Sequence, residues 1–174
     1  MKILVTGTPG TGKTTNSKKL AKALKLPYFS TKEIINDNPN VVESVEKNVK
    51  IIKPCLKKLL EKFLPHSYVL DTHLIEYAPK VDVIVVLRCE PFTLAKRLKK
   101  RNYPKNKIME NVEAEIVNYF SSSTNKNKVI EIDTSKIQSD ENVRKIMKIM
   151  RDKKWNKGLI VWDDKKYSKL LLKK

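Results

Sequence analysis

Two kinds of hydrophobic pattern alternate along the chain. Residues 2–6 (KILVT), 26–29, 68–71, 81–87 (VDVIVVL) and 129–132 are short runs dominated by apolar and β-branched side chains. Unbroken runs of this length predict strands buried on both faces, as in a parallel sheet. Between them apolar positions recur every three to four residues, the period of a helix with one face inward. Residues 13–25 follow that period, with Leu20, Ala21 and Leu24 on one side. Residues 31–36 follow it with Thr31 as N-cap, and residues 45–64 read as one longer amphipathic helix kinked near Pro54. Further helices are predicted from Pro91, suited to a first turn, to about residue 100, and over residues 109–120 and 140–151. Breaks fall at residues 36–40 (NDNPN), in the basic stretch 101–107 and in the Ser/Asn-rich stretch 121–127. Strand and helix alternating in this way predict a three-layer α/β domain, a parallel sheet with helices on both faces.

The chain of 174 residues, 40% apolar, suits a single domain with its own core. No apolar run approaches the roughly 18 residues a membrane helix needs, so no membrane partner is expected. Residues 1–6 lead straight into a strand rather than a secretory leader. Cys55 and Cys89 are far apart and lack metal-ligand spacing, so free thiols and a cytoplasmic location are expected. A formal charge of +18 points to acidic partners, nucleotides or nucleic acid. The lysines are spread along the whole chain, however, and a generally Lys-rich surface accounts for them equally well. Residues 152–174 carry both tryptophans, Trp155 and Trp162. They form either a docking tail or a last helix packed back on the domain.

The most specific motif is residues 7–14 (GTPGTGKT), which satisfies G-x-x-x-x-G-K-[ST] in full. Of four glycines in the chain, three are Gly7, Gly10 and Gly12. They allow the backbone to bring its N–H groups against phosphate oxygens, at the positive end of the helix that follows. Lys13 is expected to bridge the β- and γ-phosphates of ATP, and Thr14 to hold Mg2+ through its hydroxyl. Thr15 adds a hydroxyl toward the α-phosphate. A metal-side carboxylate is also needed. Asp71, closing the strand 68–71, is the candidate, with capping of the next turn as its alternative role. His73, two residues on, could position a water at the γ-phosphate, although a lone histidine is often structural. Three of the five arginines, Arg88, Arg97 and Arg101, fall within fourteen residues after the strongest strand. Arginine forks suit the charge that spreads over a transferring phosphoryl group. Arg101 opens a basic stretch that reads as a mobile lid, while Arg97 could equally sit on a solvated helix face.

Taken together, residues 7–15 (GTPGTGKTT), the Asp71-x-His73 pair, VVLR ending at Arg88 and residues 97–116 (RLKKRNYPKNKIMENVEAEI) resemble the adenylate kinase isoenzyme 6 family of archaea and eukaryotic nuclei. The resemblance covers residues 2–120 well and the remainder loosely. It implies a P-loop nucleoside triphosphate hydrolase fold of the nucleoside monophosphate kinase type, with a monophosphate-binding region at residues 28–51, a short lid at 100–110 and a C-terminal extension at 152–174. It implies nucleotide contacts from Gly10, Gly12, Lys13, Thr14, Thr15 and Arg101, metal contacts from Thr14 and Asp71, and ATP hydrolysis involving His73. Lys13, Asp71, His73 and Arg101 are the catalytic candidates. It further implies ATP and Mg2+ as cofactors and AMP as acceptor. Transient binding to a small-subunit ribosomal platform protein, with contact to rRNA during late maturation, is implied as well. The sequence departs from the pattern in having no arginine in residues 28–51, where Lys32, Lys47 and Lys50 are the available cations. An assembly ATPase, a kinase of another small acceptor and a nucleic-acid-binding module with a vestigial loop are the competing readings.

Overall fold

Among the described residues the strands are β1 (Lys2–Thr6), β2 (Tyr28–Ser30), β3 (Val42–Glu46), β4 (Val49–Ile52), β5 (Tyr68–Asp71), β6 (Val83–Arg88) and β7 (Val129–Asp133). The helices are α1 (Lys13–Leu24), α2 (Thr31–Asp37), α3 (Cys55–Phe63), α4 (Pro91–Lys100), α5 (Lys105–Ile116), α6 (Tyr119–Ser122) and α7 (Ser139–Asp152). The structure, a computed structural model, describes residues 1–46, 49–124, 128–136, 138–163 and 165–167.

Five strands form one sheet in the order β2-β5-β1-β6-β7, and each neighbouring pair is parallel. The period of two in a strand sends successive side chains to opposite faces. Ile3 and Val5 of β1, with Val83, Val85 and Leu87 of β6, therefore meet Leu20 and Ala21 of α1 and Val143 and Ile146 of α7 on one face. Leu4, Ile84 and Val86 meet Tyr68, Leu70 and Phe120 on the other. Helices cover both faces, which is why these strands carry unbroken apolar runs. All the strands in this sheet run the same way, so the C-terminal ends of β1, β5, β6 and β7 open on a common edge, where ligands of such sheets bind.

Several sequence expectations are corrected. Residues 45–64 are not one kinked helix: β3 and β4 pair antiparallel as a hairpin, and α3 begins only at Cys55. The β-branched residues of the hairpin prefer the pleated backbone, and Pro54 occupies the N-cap position of α3. Ser30, not Thr31, caps α2. The second strand is Tyr28–Ser30 rather than residues 26–29. Helix α5 begins at Lys105, within the basic stretch 101–107 that the sequence reads as a loop, and Asn118 at φ +56° separates α5 from α6 where the sequence predicts one helix. The described part of the C-terminal extension packs back on the domain: Trp155 lies against the α1/α7 core and Trp162 against Val112 and Ile116. No described helix is long and apolar enough to cross a membrane.

Candidate active site

The chain leaves β1 at Thr6 and turns sharply into α1. Gly7 sits at φ +135°, and a Cβ there would stand 2.3 Å from the Leu87 carbonyl oxygen, so both angle and space exclude a side chain. Gly12, at φ +87°, is the left-handed N-cap from which α1 starts. The loop is held from outside on two sides. The Thr8 hydroxyl donates to Glu115 Oε2 at 2.6 Å, and the Thr134 hydroxyl donates to the Thr11 carbonyl at 2.9 Å.

Lys13 folds back over this loop. Its Nζ donates to the Gly7 carbonyl at 2.8 Å and the Thr8 carbonyl at 3.2 Å. Burial pushes its pKa down to about 8; Arg101 pushes the same way, while Asp71 and Glu115 oppose. A half-buried ammonium satisfied only by loop carbonyls is well placed to accept stronger anionic partners.

The parallel register sets Asp71 beside Val5, at the strand end nearest the loop. Asp71 is 7% exposed, and its Oδ2 accepts from the Thr14 hydroxyl at 2.7 Å and from Tyr28 at 3.4 Å. Burial and the Asp71 charge raise the Tyr28 phenol to about 12. The turn after β5 is secured by Thr72, whose hydroxyl accepts the Leu74 N–H at 2.9 Å, leaving Asp71 to face the loop. His73 is exposed by surface area, yet crowding of its imidazole by protein atoms lowers its pKa; the Lys13 charge adds to this and Asp71 opposes it. The neutral ring is therefore favoured at pH 7. Thr15 lies exposed in the first turn of α1, beside Thr14.

The three clustered arginines part company. Arg88, 2% exposed, pairs with Glu115 Oε1 at 2.6 Å and donates to the carbonyls of Glu115 and Ile160 at 2.9 and 3.0 Å. Its guanidinium also bonds the Asn118 side chain. It is a buried strut rather than a phosphate clamp. Arg97 is likewise no solvated residue: Nη2 donates to the carbonyls of Thr134 and Ser135 at 2.8 and 3.3 Å. Arg101 ends α4, is exposed, and stands near enough to Lys13 for its charge to act there.

In the region of residues 28–51, Lys32 is exposed on α2. The Lys47 position and the Lys50 side chain lie outside the described residues. Sequence reasoning missed Glu115 and Thr134. Glu115 had a visible signal, an acid lying between Val112 and Ile116 on the apolar stripe of α5. Thr134 had none, since a threonine after a strand is ordinary.

The parallel sheet, the glycine loop and the Lys13–Thr14–Asp71 arrangement define a three-layer P-loop kinase fold. A family described as AAA domain matches residues 3–118, and the chain belongs to it. A protein of Thermococcus onnurineus named "Putative adenylate kinase" is 35% identical over 175 residues, covering 98% of this chain and 96% of its own. One of the same name from Methanocaldococcus jannaschii is 34% identical, covering 99% and 98%. Among solved structures, deoxyadenosine kinase from M. mycoides superposes with a TM-score of 0.62 at 18% identity, covering 87% of this chain and all of its own. Shikimate kinase from Acinetobacter baumannii superposes at 0.60 with 14% identity, covering 89% and 95%. At such identities the structures share the fold; the family rests on the sequence relatives.

Proposed function

We propose that the chain is a nucleoside monophosphate kinase that transfers the γ-phosphoryl group of ATP to AMP, giving two ADP. The observation that carries this reading is the Lys13 ammonium, resting on the Gly7 and Thr8 carbonyls at 2.8 and 3.2 Å at the start of α1. The archaeal relatives named as adenylate kinases support AMP as the acceptor. In the transfer, a phosphate oxygen of the monophosphate bonds to the γ-phosphorus while the bond to the β–γ bridging oxygen breaks and ADP leaves. Little covalent help is needed from the protein; positioning and charge stabilisation lower the barrier. The loop amides of Gly10 and Gly12, with Lys13, Thr14 and Thr15, would hold the triphosphate. Arg101 would close over the transferring group with the lid.

The oxygen pair of Thr14 and Asp71 fits Mg2+, a hard ion that prefers oxygen donors. Bound there, Mg2+ would neutralise charge on the β- and γ-phosphates.

A second activity, ATP hydrolysis, is favoured by His73, whose depressed pKa keeps a neutral ring beside Lys13 and Asp71. Water and a monophosphate would then compete for one γ-phosphate. The resemblance to the isoenzyme 6 family and the charge of +18 support a cytoplasmic role in late small-subunit maturation, with a platform protein and rRNA as partners. A coupled assay with ATP, Mg2+ and a panel of monophosphates, shikimate and other small acceptors tests the kinase reading. Transfer to AMP that disappears in Lys13→Ala is expected, and transfer to none of the monophosphates would overturn it.

A further inference from the structure

The Glu115 carboxylate does more than neutralise a buried arginine. It is 2% exposed, and Oε1 takes Arg88 Nε at 2.6 Å, the Cys89 backbone N–H at 3.2 Å and the Trp162 indole N–H at 3.0 Å. Oε2 takes the Thr8 hydroxyl at 2.6 Å. The phosphate loop, the end of β6 and the C-terminal segment thus converge on one side chain of α5. Arg88 alone would balance the charge; the Cys89, Trp162 and Thr8 donors further fix the carboxylate in one orientation.

Thr8 is the point at which this orientation reaches the site. Its carbonyl accepts Lys13 Nζ at 3.2 Å, the Thr11 amide at 3.2 Å and the Thr11 hydroxyl at 2.8 Å. The Trp162 end is also anchored. Its ring packs on Val112, Ile116 and Tyr167, and Arg88 lies 5.8 Å from the ring centroid. Just upstream, the Gly158 and Ile160 amides donate to the buried Glu131 carboxylate at 2.8 and 3.1 Å. Helix α5 itself starts at Lys105, directly after the lid turn, and carries Glu115 near its far end.

We propose that Glu115 is a positioning residue for the phosphate loop, and that the C-terminal segment sets its carboxylate through Trp162, so that nucleotide binding and the C-terminal segment are coupled. The inference rests on the proposed binding of ATP. The coupling runs both ways: seating a triphosphate on Lys13 and the Thr8 turn shifts the surroundings of Trp162, and loss of the indole N–H loosens the loop.

The test uses the full chain. Trp155→Phe leaves Trp162 as the sole indole, and its emission is followed while MgATP is titrated and heat is measured in parallel. A saturable emission change with the calorimetric midpoint is expected. Trp162→Phe keeps an aromatic ring but removes the donor; its Kd for MgATP should rise about five- to tenfold, the low end of an ordinary coupling between two sites. Circular dichroism and the melting curve establish that this variant is folded. Glu115→Gln should weaken MgATP further; if it fails to fold, Trp162→Phe decides alone. A flat Trp162 emission during calorimetrically proven binding, or an affinity within twofold of the parent in folded Trp162→Phe, would overturn the coupling and leave ATP binding intact. Absence of MgATP binding to the unsubstituted chain would overturn the functional reading and the coupling together.

Discussion

Around the phosphate loop the backbone is held from several elements at once: Glu115 through Thr8, Thr134 through Thr11, and Asp71 through the Thr14 side chain. The β3–β4 hairpin is built differently. Val45 is 62% and Ile51 37% exposed there, and Phe63 at the end of the neighbouring α3 is 54% exposed. Isolated exposed apolar residues are ordinary; the hairpin lies outside the main sheet and packs, through Val42 and Ile52, with Leu56 and Leu60 of α3 in a separate apolar cluster. Charge stabilisation needs donors fixed before the substrate arrives, whereas an acceptor must enter, be enclosed and leave. One end is tied to α5, β5 and the turn after β7 by side-chain hydrogen bonds, and the other is held by an apolar cluster of its own.

Substitutions at the braced end should therefore have the larger effects. Lys13→Ala is expected to cost roughly a thousandfold in phosphoryl transfer, read by coupled assay; a loss under tenfold would mean that the loop is not the catalytic phosphate site. His73→Ala should lower ATP hydrolysis about a hundredfold while calorimetric ATP affinity stays within about twofold. Equal hydrolysis in that variant removes the histidine from the chemistry. Asp71→Asn, which weakens the oxygen pair facing the metal, should lower activity some ten- to a hundredfold, with part of the loss recovered at high Mg2+.

The Lys13 pKa of about 8 supplies a pH test with opposite signs for binding and stability. Below that pH the ammonium is present in the free protein; above it a proton must be taken up on binding, so MgATP affinity should fall by up to about tenfold per pH unit, and Lys13→Met should abolish the dependence. Stability of the free protein responds the other way. Its Lys13 pKa lies below the ordinary 10.5, so between the two values the unfolded chain binds more protons and Lys13's contribution rises with pH. The smallest effect is expected on α2: Lys32→Ala should raise KM for the monophosphate about threefold and leave ATP affinity unchanged, as expected for an exposed charge.

The same division governs what the sequence disclosed. The glycine loop is legible because its geometry admits few residues: no Cβ fits at Gly7, 2.3 Å from a carbonyl oxygen. The strands of the main sheet are legible because burial on both faces demands continuous apolar runs, as in β6. The hairpin reads as helix in the sequence because Val45, Val49 and Ile52 also recur every three to four residues. Arginine clustering was a weaker guide. Arg88 and Arg97 serve buried carboxylate and carbonyl groups that lie far away in sequence, such as Glu115 and Thr134, and these pairings arise only from the fold. Glu115 could have been suspected from its place on an apolar helix face, but its partners Thr8 and Trp162 could not.

On the reading proposed above, residues 7–15 form a cup for a triphosphate and its Mg2+. Isothermal titration of folded protein with ATP in the presence of Mg2+ tests it most directly. One saturable site per chain, lost in Lys13→Ala and weakened when Mg2+ is chelated, is the predicted result; no binding heat across a range of temperatures from correctly folded protein would contradict it.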